Sequence, residues 1–186
     1  LLADFVLEKR SRAGQLEAHH YIIKTLVTTE LMRRIADSYG VRTCGQLLVG
    51  FKWIGGVIDE QGPEHFVYGS EESHGFLVGT HARDKDGSVA CMLMAELAAE
   101  MKSAGKSLHD KLDSLYWQHG FHQERLWTIR MEGSEGMARM QDLMDQVRHQ
   151  PPAELGGVEV VAVRDHLRQQ RVEASGESSP LEGPRG

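Results

Sequence analysis

The sequence predicts an α/β protein: a three-layer α/β/α domain on a mixed, mostly parallel sheet, followed by an incomplete α+β domain. Two observations carry this. Short β-rich runs alternate with segments whose apolar residues recur at helical spacing, and such alternation gives parallel strands joined by right-handed crossovers. After Gly120 the pattern changes to a short strand-helix-strand succession that leaves little core to share.

Taken in order, Leu1 to Arg10 places Leu2, Phe5 and Val6 at helical spacing and ends in Lys9 and Arg10, where positive charge suits the helix dipole. Ser11 to Ala18 is a polar connection. His20 to Val27, HYIIKTLV, is a β-rich run interrupted by Lys24, whose amine either reaches a partner or cleft or snorkels out at a strand end. Thr28 or Thr29 can cap a helix over Glu30 to Tyr39, with Leu31, Met32, Ile35 and Ala36 as its stripe and Gly40 as its stop. Val41 to Thr43 reads as a second strand and Gln46 to Val49 as an extension into a third. Gly50 to Gly56, GFKWIGG, reads as a bendable segment carrying a cation and aromatic surface. His65 to Tyr68 is the next strand. Ser88 to Ala104 is the strongest helical pattern, with Ala90, Leu93, Met94, Leu97, Ala98 and Met101 on one face. Gly105 stops it, and Ser107 caps a second helix over Leu108 to His119. Beyond Gly120, Phe121 to Met131 is expected as a strand, Glu135 to His149 as a helix broken by Pro151-Pro152, and Val158 to Val163 as a strand. Gln169 to Gly186, rich in Glu, Ser, Gly and Pro, is expected as a flexible tail.

Composition narrows the function. With 40% hydrophobic and 26% charged residues the chain is globular, and its net charge of -6 argues against nucleic acid as a partner. No apolar run is long enough for a membrane span. The two cysteines, Cys44 and Cys91, stand in no metal or redox spacing, so a reducing, cytoplasmic setting is expected. The chain opens on LLADFVLEKR, without an initiator Met and as if mid-helix, and is expected to be a fragment.

Chemistry concentrates in Tyr68 to Gly87, YGSEESHGFLVGTHARDKDG, where a strand ends in a polar loop that feeds a helix. Ligands of α/β proteins sit beyond the carboxyl ends of strands in this way. Carboxylates accept from sugar hydroxyls and lysines or arginines donate to phosphate, and this loop offers both. Composition alone favours an ordinary solvated loop. In GFKWIGG, Lys52 and Trp53 suit a sugar phosphate, although a Trp that packs the segment down is an equal reading of Trp53. The run Asp84-Lys85-Asp86-Gly87 fails as a calcium loop, because Ala82 and Leu93 stand where the first ligand and the closing glutamate belong.

Four stretches, IIKTLVTTELMRRIADSYGV (Ile22 to Val41), GFKWIG (Gly50 to Gly55), GSEESHG (Gly69 to Gly75) and RDKDG (Arg83 to Gly87), together resemble the α-D-phosphohexomutases, the phosphoglucomutase and phosphomannomutase family. The likeness is nearest the branch named for phosphoglucomutase and phosphopentomutase activity. It implies that residues 1–119 correspond to the sugar-recognition domain, the third of four, that residues 120–168 correspond to the start of the fourth, and that residues 169–186 form a tail. It also implies interconversion of hexose 1-phosphate and hexose 6-phosphate through a phosphoserine, with magnesium held by a domain absent here and a sugar bisphosphate as activator. By resemblance Glu71 and Ser73 hold sugar hydroxyls, Gly50, Lys52 and Trp53 contact the sugar, and Lys24, Lys85 and Arg83 lie near phosphate. The role of His74 is not fixed. The family's serine loop, aspartate metal loop and phosphate clamp are not found, so no catalytic or metal residue is expected in this chain. Phosphorylated sugar and the remaining domains of a parent chain are the implied partners, and a non-catalytic sugar-phosphate-binding module is the rival reading.

Overall fold

The runs Tyr21–Lys24 and Phe66–Glu71 are buried along their whole length, as strands covered on both faces must be. They form the centre of a four-stranded sheet in a computed structural model that describes residues 1–126 and 128–181. The elements are α1 (Leu2–Arg12), β1 (Tyr21–Lys24), α2 (Leu31–Ser38), β2 (Arg42–Cys44), α3 (Phe51–Gln61), β3 (Phe66–Glu71), β4 (Gly75–Leu77), α4 (Gly87–Ser103) and α5 (Leu108–His119). Then follow α6 (Gly133–His149), β5 (Glu154–Leu155), β6 (Val158–Glu159), β7 (Ala162–Asp165), β8 (Gln170–Glu173) and β9 (Ser178–Pro180). The main sheet has the order β2-β1-β3-β4, with β1 parallel to both neighbours and β4 antiparallel to β3.

One sheet face buries Ile22, Val67 and Tyr68 against Leu7, Ile35 and Leu115 from α1, α2 and α5, with Ala90 of α4. The other buries Tyr21, Ile23, Phe66 and Leu77 against Phe51, Ile54 and Ile58 of α3. Helices on both faces make the domain three-layered. Thr29 Oγ1 accepts from the Leu31 amide at the start of α2, and Ser107 with Asp110 closes a reciprocal capping box on α5. Lys111 Nζ lies 2.7 Å from Asp4 Oδ2 and 3.3 Å from Glu8, and the Tyr39 hydroxyl donates to Asp4 at 3.3 Å, fastening α1, α2 and α5 together. Burial first, then the neighbouring Asp4, pushes the Tyr39 hydroxyl well above its ordinary range.

Several expectations are corrected. GFKWIGG is the start of α3, because Phe51, Ile54 and Ile58 fall on one face and their burial outweighs the helix cost of Gly55 and Gly56. Gln46–Val49 is not a strand; the Leu26 amide donates to the Leu47 carbonyl, and the Leu47 side chain packs against the core. Strand β3 runs on to Glu71 and turns into β4, pairing Glu71 with Gly75.

The chain divides into two compact units, Leu1–Glu124 and Arg125–Gly186. No strand occurs among the described residues of Phe121 to Met131; Trp127 lies outside them. The expected strand Val158–Val163 is split. Gly156 and Gly157, with φ of 59° and 84°, form the two-residue turn that pairs β6 with β5, while β7 pairs with β8. The expected tail contains β8 and β9, with Val172 opposite Val163 and Gly176 at φ 87° in the turn between them. Residues 182–186 of that tail lie outside the described residues.

Candidate functional site

Register decides which side chains meet at the carboxyl edge of the main sheet. Tyr21 pairs with Phe66 but Ile22 pairs with Tyr68, so β3 carries one extra residue, Val67. Alternation then places Tyr68 and Ser70 on the face of Ile22 and Lys24, and Gly69 and Glu71 on the opposite face, toward α3.

Glu71 is 3% exposed. Its Oε2 accepts from the Gly50 amide at 3.1 Å, and Lys85 Nζ lies 2.9 Å from its Oε1. Gly50 is the residue before α3, so a carboxylate from β3 caps the positive end of that helix. Two glycines make room for this. Gly50 has a φ of 122°, a conformation that disfavours side chains, and a Cβ on Gly75 would come within 2.5 Å of Glu71 Cγ. The Glu71 hydrogen bond, with burial opposing it, holds the Lys85 ammonium above the usual lysine range. Lys85 Nζ also sits 5.3 Å from the centre of the Phe51 ring.

Glu72 turns the other way. Thr25 and Thr28, both buried, have hydroxyls 2.8 Å apart, and these donate to Glu72 Oε2 at 3.0 and 3.3 Å. Lys24 lies beneath, its side chain enclosed. Its three ammonium donors reach the carbonyls of Thr25 at 3.2 Å and Thr28 at 2.8 Å and Glu30 Oε1 at 2.7 Å. The Ser73 hydroxyl, exposed at the hairpin tip, donates to Glu72 Oε1 at 3.2 Å, and His74 follows with a φ of 61°. A cleft of about 400 Å³ opens beside Thr28, Ser70, Glu71 and Glu72, floored by Tyr68, Phe76 and Met94.

Lys52 and Trp53 stand exposed on the first turn of α3, the ammonium 5.1 Å from the indole, at the helix end that Glu71 caps. Arg83 faces elsewhere: it pairs with Asp59 Oδ1 at 2.7 Å and bonds the carbonyls of Thr80 and Ala82. Asp59 lies nine residues beyond Gly50, about 13 Å along the helix axis. Asp86 caps α4 by accepting from the Val89 amide, and its other oxygen meets His81 Nε2 at 2.8 Å. Thus Gly50 and Lys85 both meet Glu71, Lys52 and Trp53 follow Gly50 on α3, Ser73 lies at the hairpin tip, Lys24 supports the opposite side, and Arg83 braces α3. Thr25, Thr28 and Glu72 did not stand out in the sequence as a set, though two threonines three apart just after a strand offer paired hydroxyls.

Residues 1–118 match the family model described as phosphoglucomutase/phosphomannomutase, alpha/beta/alpha domain III. A phosphoglucomutase of Staphylococcus aureus (strain N315) is 33% identical over 168 residues, covering 90% of this chain and 30% of that protein. A phosphoglucomutase of Staphylococcus epidermidis (strain ATCC 12228) is 34% identical over 165 residues, covering 88% of this chain and 30% of its own length. The chain therefore spans about a third of these curated relatives. The crystal structure of a Thermus thermophilus protein assigned as a phosphomannomutase superposes with a TM-score of 0.52 at 23% identity, over 71% of this chain and 29% of that one, a likeness of fold.

Proposed function

Since the chain belongs to the phosphoglucomutase/phosphomannomutase family, we propose that it is the sugar-recognition part of a phosphohexomutase that interconverts hexose 1-phosphate and hexose 6-phosphate through a phosphoserine. One observation supports this most: the buried Glu71 carboxylate, met by the Gly50 amide and by Lys85 from two separate stretches at the carboxyl edge of the sheet.

A carboxylate fixed in this way accepts from neighbouring sugar hydroxyls, and the hydroxyl of Ser73 adds a third polar group at the tip. Lys85 engages one Glu71 oxygen. Sugar hydroxyls that take that oxygen leave the ammonium to meet the substrate phosphate. Lys52 contributes further positive charge and Trp53 an apolar face for the ring. Lys24 acts from beneath, by shaping the Thr25–Thr28 turn. Phosphoryl transfer depends chiefly on positioning and on neutralising charge, and this chain supplies the positioning. The phosphoserine and the phosphate clamp belong to other domains of a cytoplasmic parent, so the chain alone is inactive as a mutase. Magnesium does not fit here. Among the described residues no group of three or more His, Cys, Asp or Glu can hold a metal ion, and Asp84 and Asp86 already bond the backbone amides of Lys85 and Val89. By the family likeness magnesium is assigned to another domain, and the sugar bisphosphate activator to the assembled cleft.

Titration of the isotope-labelled chain with glucose 1-phosphate tests the reading by nuclear magnetic resonance. Amides of Gly50, Glu71–Gly75 and Lys85 should shift, and Glu71→Gln should weaken binding by about tenfold or more, since each buried hydrogen bond lost costs about 1 to 3 kcal/mol. Absence of shifts between Gly69 and Gly87, or an unchanged affinity in Glu71→Gln, overturns it.

A further inference from the structure

Two successive carboxylates leave the hairpin tip in opposite directions, and the family likeness gives a role only to the first. Glu71 faces α3 and Lys85; Glu72 faces the Thr25–Thr28 turn. We propose that Glu72 is a positioning residue, a latch that fixes the β3–β4 tip so that Ser73 and Glu71 meet the sugar in register. This rests on the sugar-recognition reading above.

Lys24 uses all three ammonium protons inside the protein and draws the carbonyls of Thr25 and Thr28 to one point. With both carbonyls held, the two threonine hydroxyls stand 2.8 Å apart and converge on Glu72 Oε2. The remaining Glu72 oxygen receives the Ser73 hydroxyl, so the orientation of one proposed sugar contact is set by the latch. No ladder bond performs this task, because β3 ends at Glu71 and β4 begins at Gly75, leaving residues 72–74 outside the sheet. The tip is held from one sheet face by Glu71 and from the other by Glu72.

A direct ligand contact through charge and a latch through acceptor geometry make different predictions for Glu72→Gln. Gln retains an oxygen for the threonine hydroxyls and loses the charge; Ala loses both. For the 186-residue chain, Glu72→Ala should lower the affinity for glucose 1-phosphate about tenfold, while Glu72→Gln stays within about threefold of the wild type. Without ligand, the Ser73 and His74 amides of Glu72→Ala should show the mobility of flexible backbone, and the Gly50 amide should remain ordered. Thr28→Val should reproduce part of the loss and add nothing in combination with Glu72→Ala. Melting curves of every variant separate this from general unfolding. The latch is overturned if Glu72→Gln loses as much affinity as Glu72→Ala, if tip mobility is unchanged in Glu72→Ala, or if Thr28→Val and Glu72→Ala are additive. Should the wild-type chain give no response to glucose 1-phosphate, the sugar-recognition reading fails, and tip mobility alone still decides the latch.

Discussion

The Nδ1 of His20 accepts the Glu17 amide proton at 2.9 Å, a bond that requires a neutral imidazole. Its ring stacks on His19 at 4.7 Å and meets His65 edge-on at 6.4 Å. Burial first, and then the nearby His19 and Arg10 charges, lower its pKa, with the Glu17 carbonyl and carboxylate opposing. For a histidine depressed in the folded state the unfolded chain binds more protons, so stability is complete above the ordinary histidine pKa of about 6.5 and is lost as pH falls through the lower folded value. Urea midpoints should therefore drop between about pH 7.5 and about pH 5, and His20→Gln should drop less. Equal slopes for the two proteins would exclude His20 as the cause. Residue types were legible in the sequence at this scale, and Glu71, Ser73 and Lys85 were identifiable from their motifs. Direction was not legible, because the extra residue Val67 in β3 decides which face each side chain takes. Lys24 illustrates this: the sequence left its amine either a partner or cleft or an escape at a strand end, and only the fold showed three partners within the protein.

At the scale of elements, α3 starts at the candidate site, and its two glycines behave oppositely. A Cβ on Gly55 would lie 3.0 Å from the Arg83 carbonyl oxygen, a backbone atom that cannot swing aside, whereas a Cβ on Gly56 meets nothing within 4 Å. Arg83 is also the residue that pairs with Asp59 and leads the chain to Lys85. Gly55→Ala should thus destabilise by about 1 to 3 kcal/mol, as overpacking does, and separate Lys85 from Glu71, weakening glucose 1-phosphate binding. Gly56→Ala should stabilise by about 0.5 to 1 kcal/mol through helix propensity and leave binding unaltered. Denaturant melts of the two variants check the sign, and a stabilised Gly55→Ala would refute the contact. The glycines are also why the helix was hidden. Local preference read GFKWIGG as bendable, and burial of Phe51, Ile54 and Ile58 against the sheet overrode it.

For the molecule as a whole, the buried core and the candidate site both lie in the first unit. Among the described residues every buried one falls between Leu2 and Leu115, and none of Arg125–Leu181 is buried. Residues 1–124 expressed alone should accordingly unfold in one cooperative transition and reproduce the shifts that glucose 1-phosphate causes in the longer chain. Non-cooperative melting of that piece would show that the second unit is needed. The sequence by itself determined the alternation of strands and helices, the cap at Ser107 and the family, because periodicity and motif order are local properties of a chain. Tertiary structure alone decided that adjacent glutamates diverge, that Glu71 caps a helix from another strand, and that Lys24 is enclosed while Lys85 is not. These depend on strand register and on which backbone groups converge across distant stretches, and neither is fixed by any one segment.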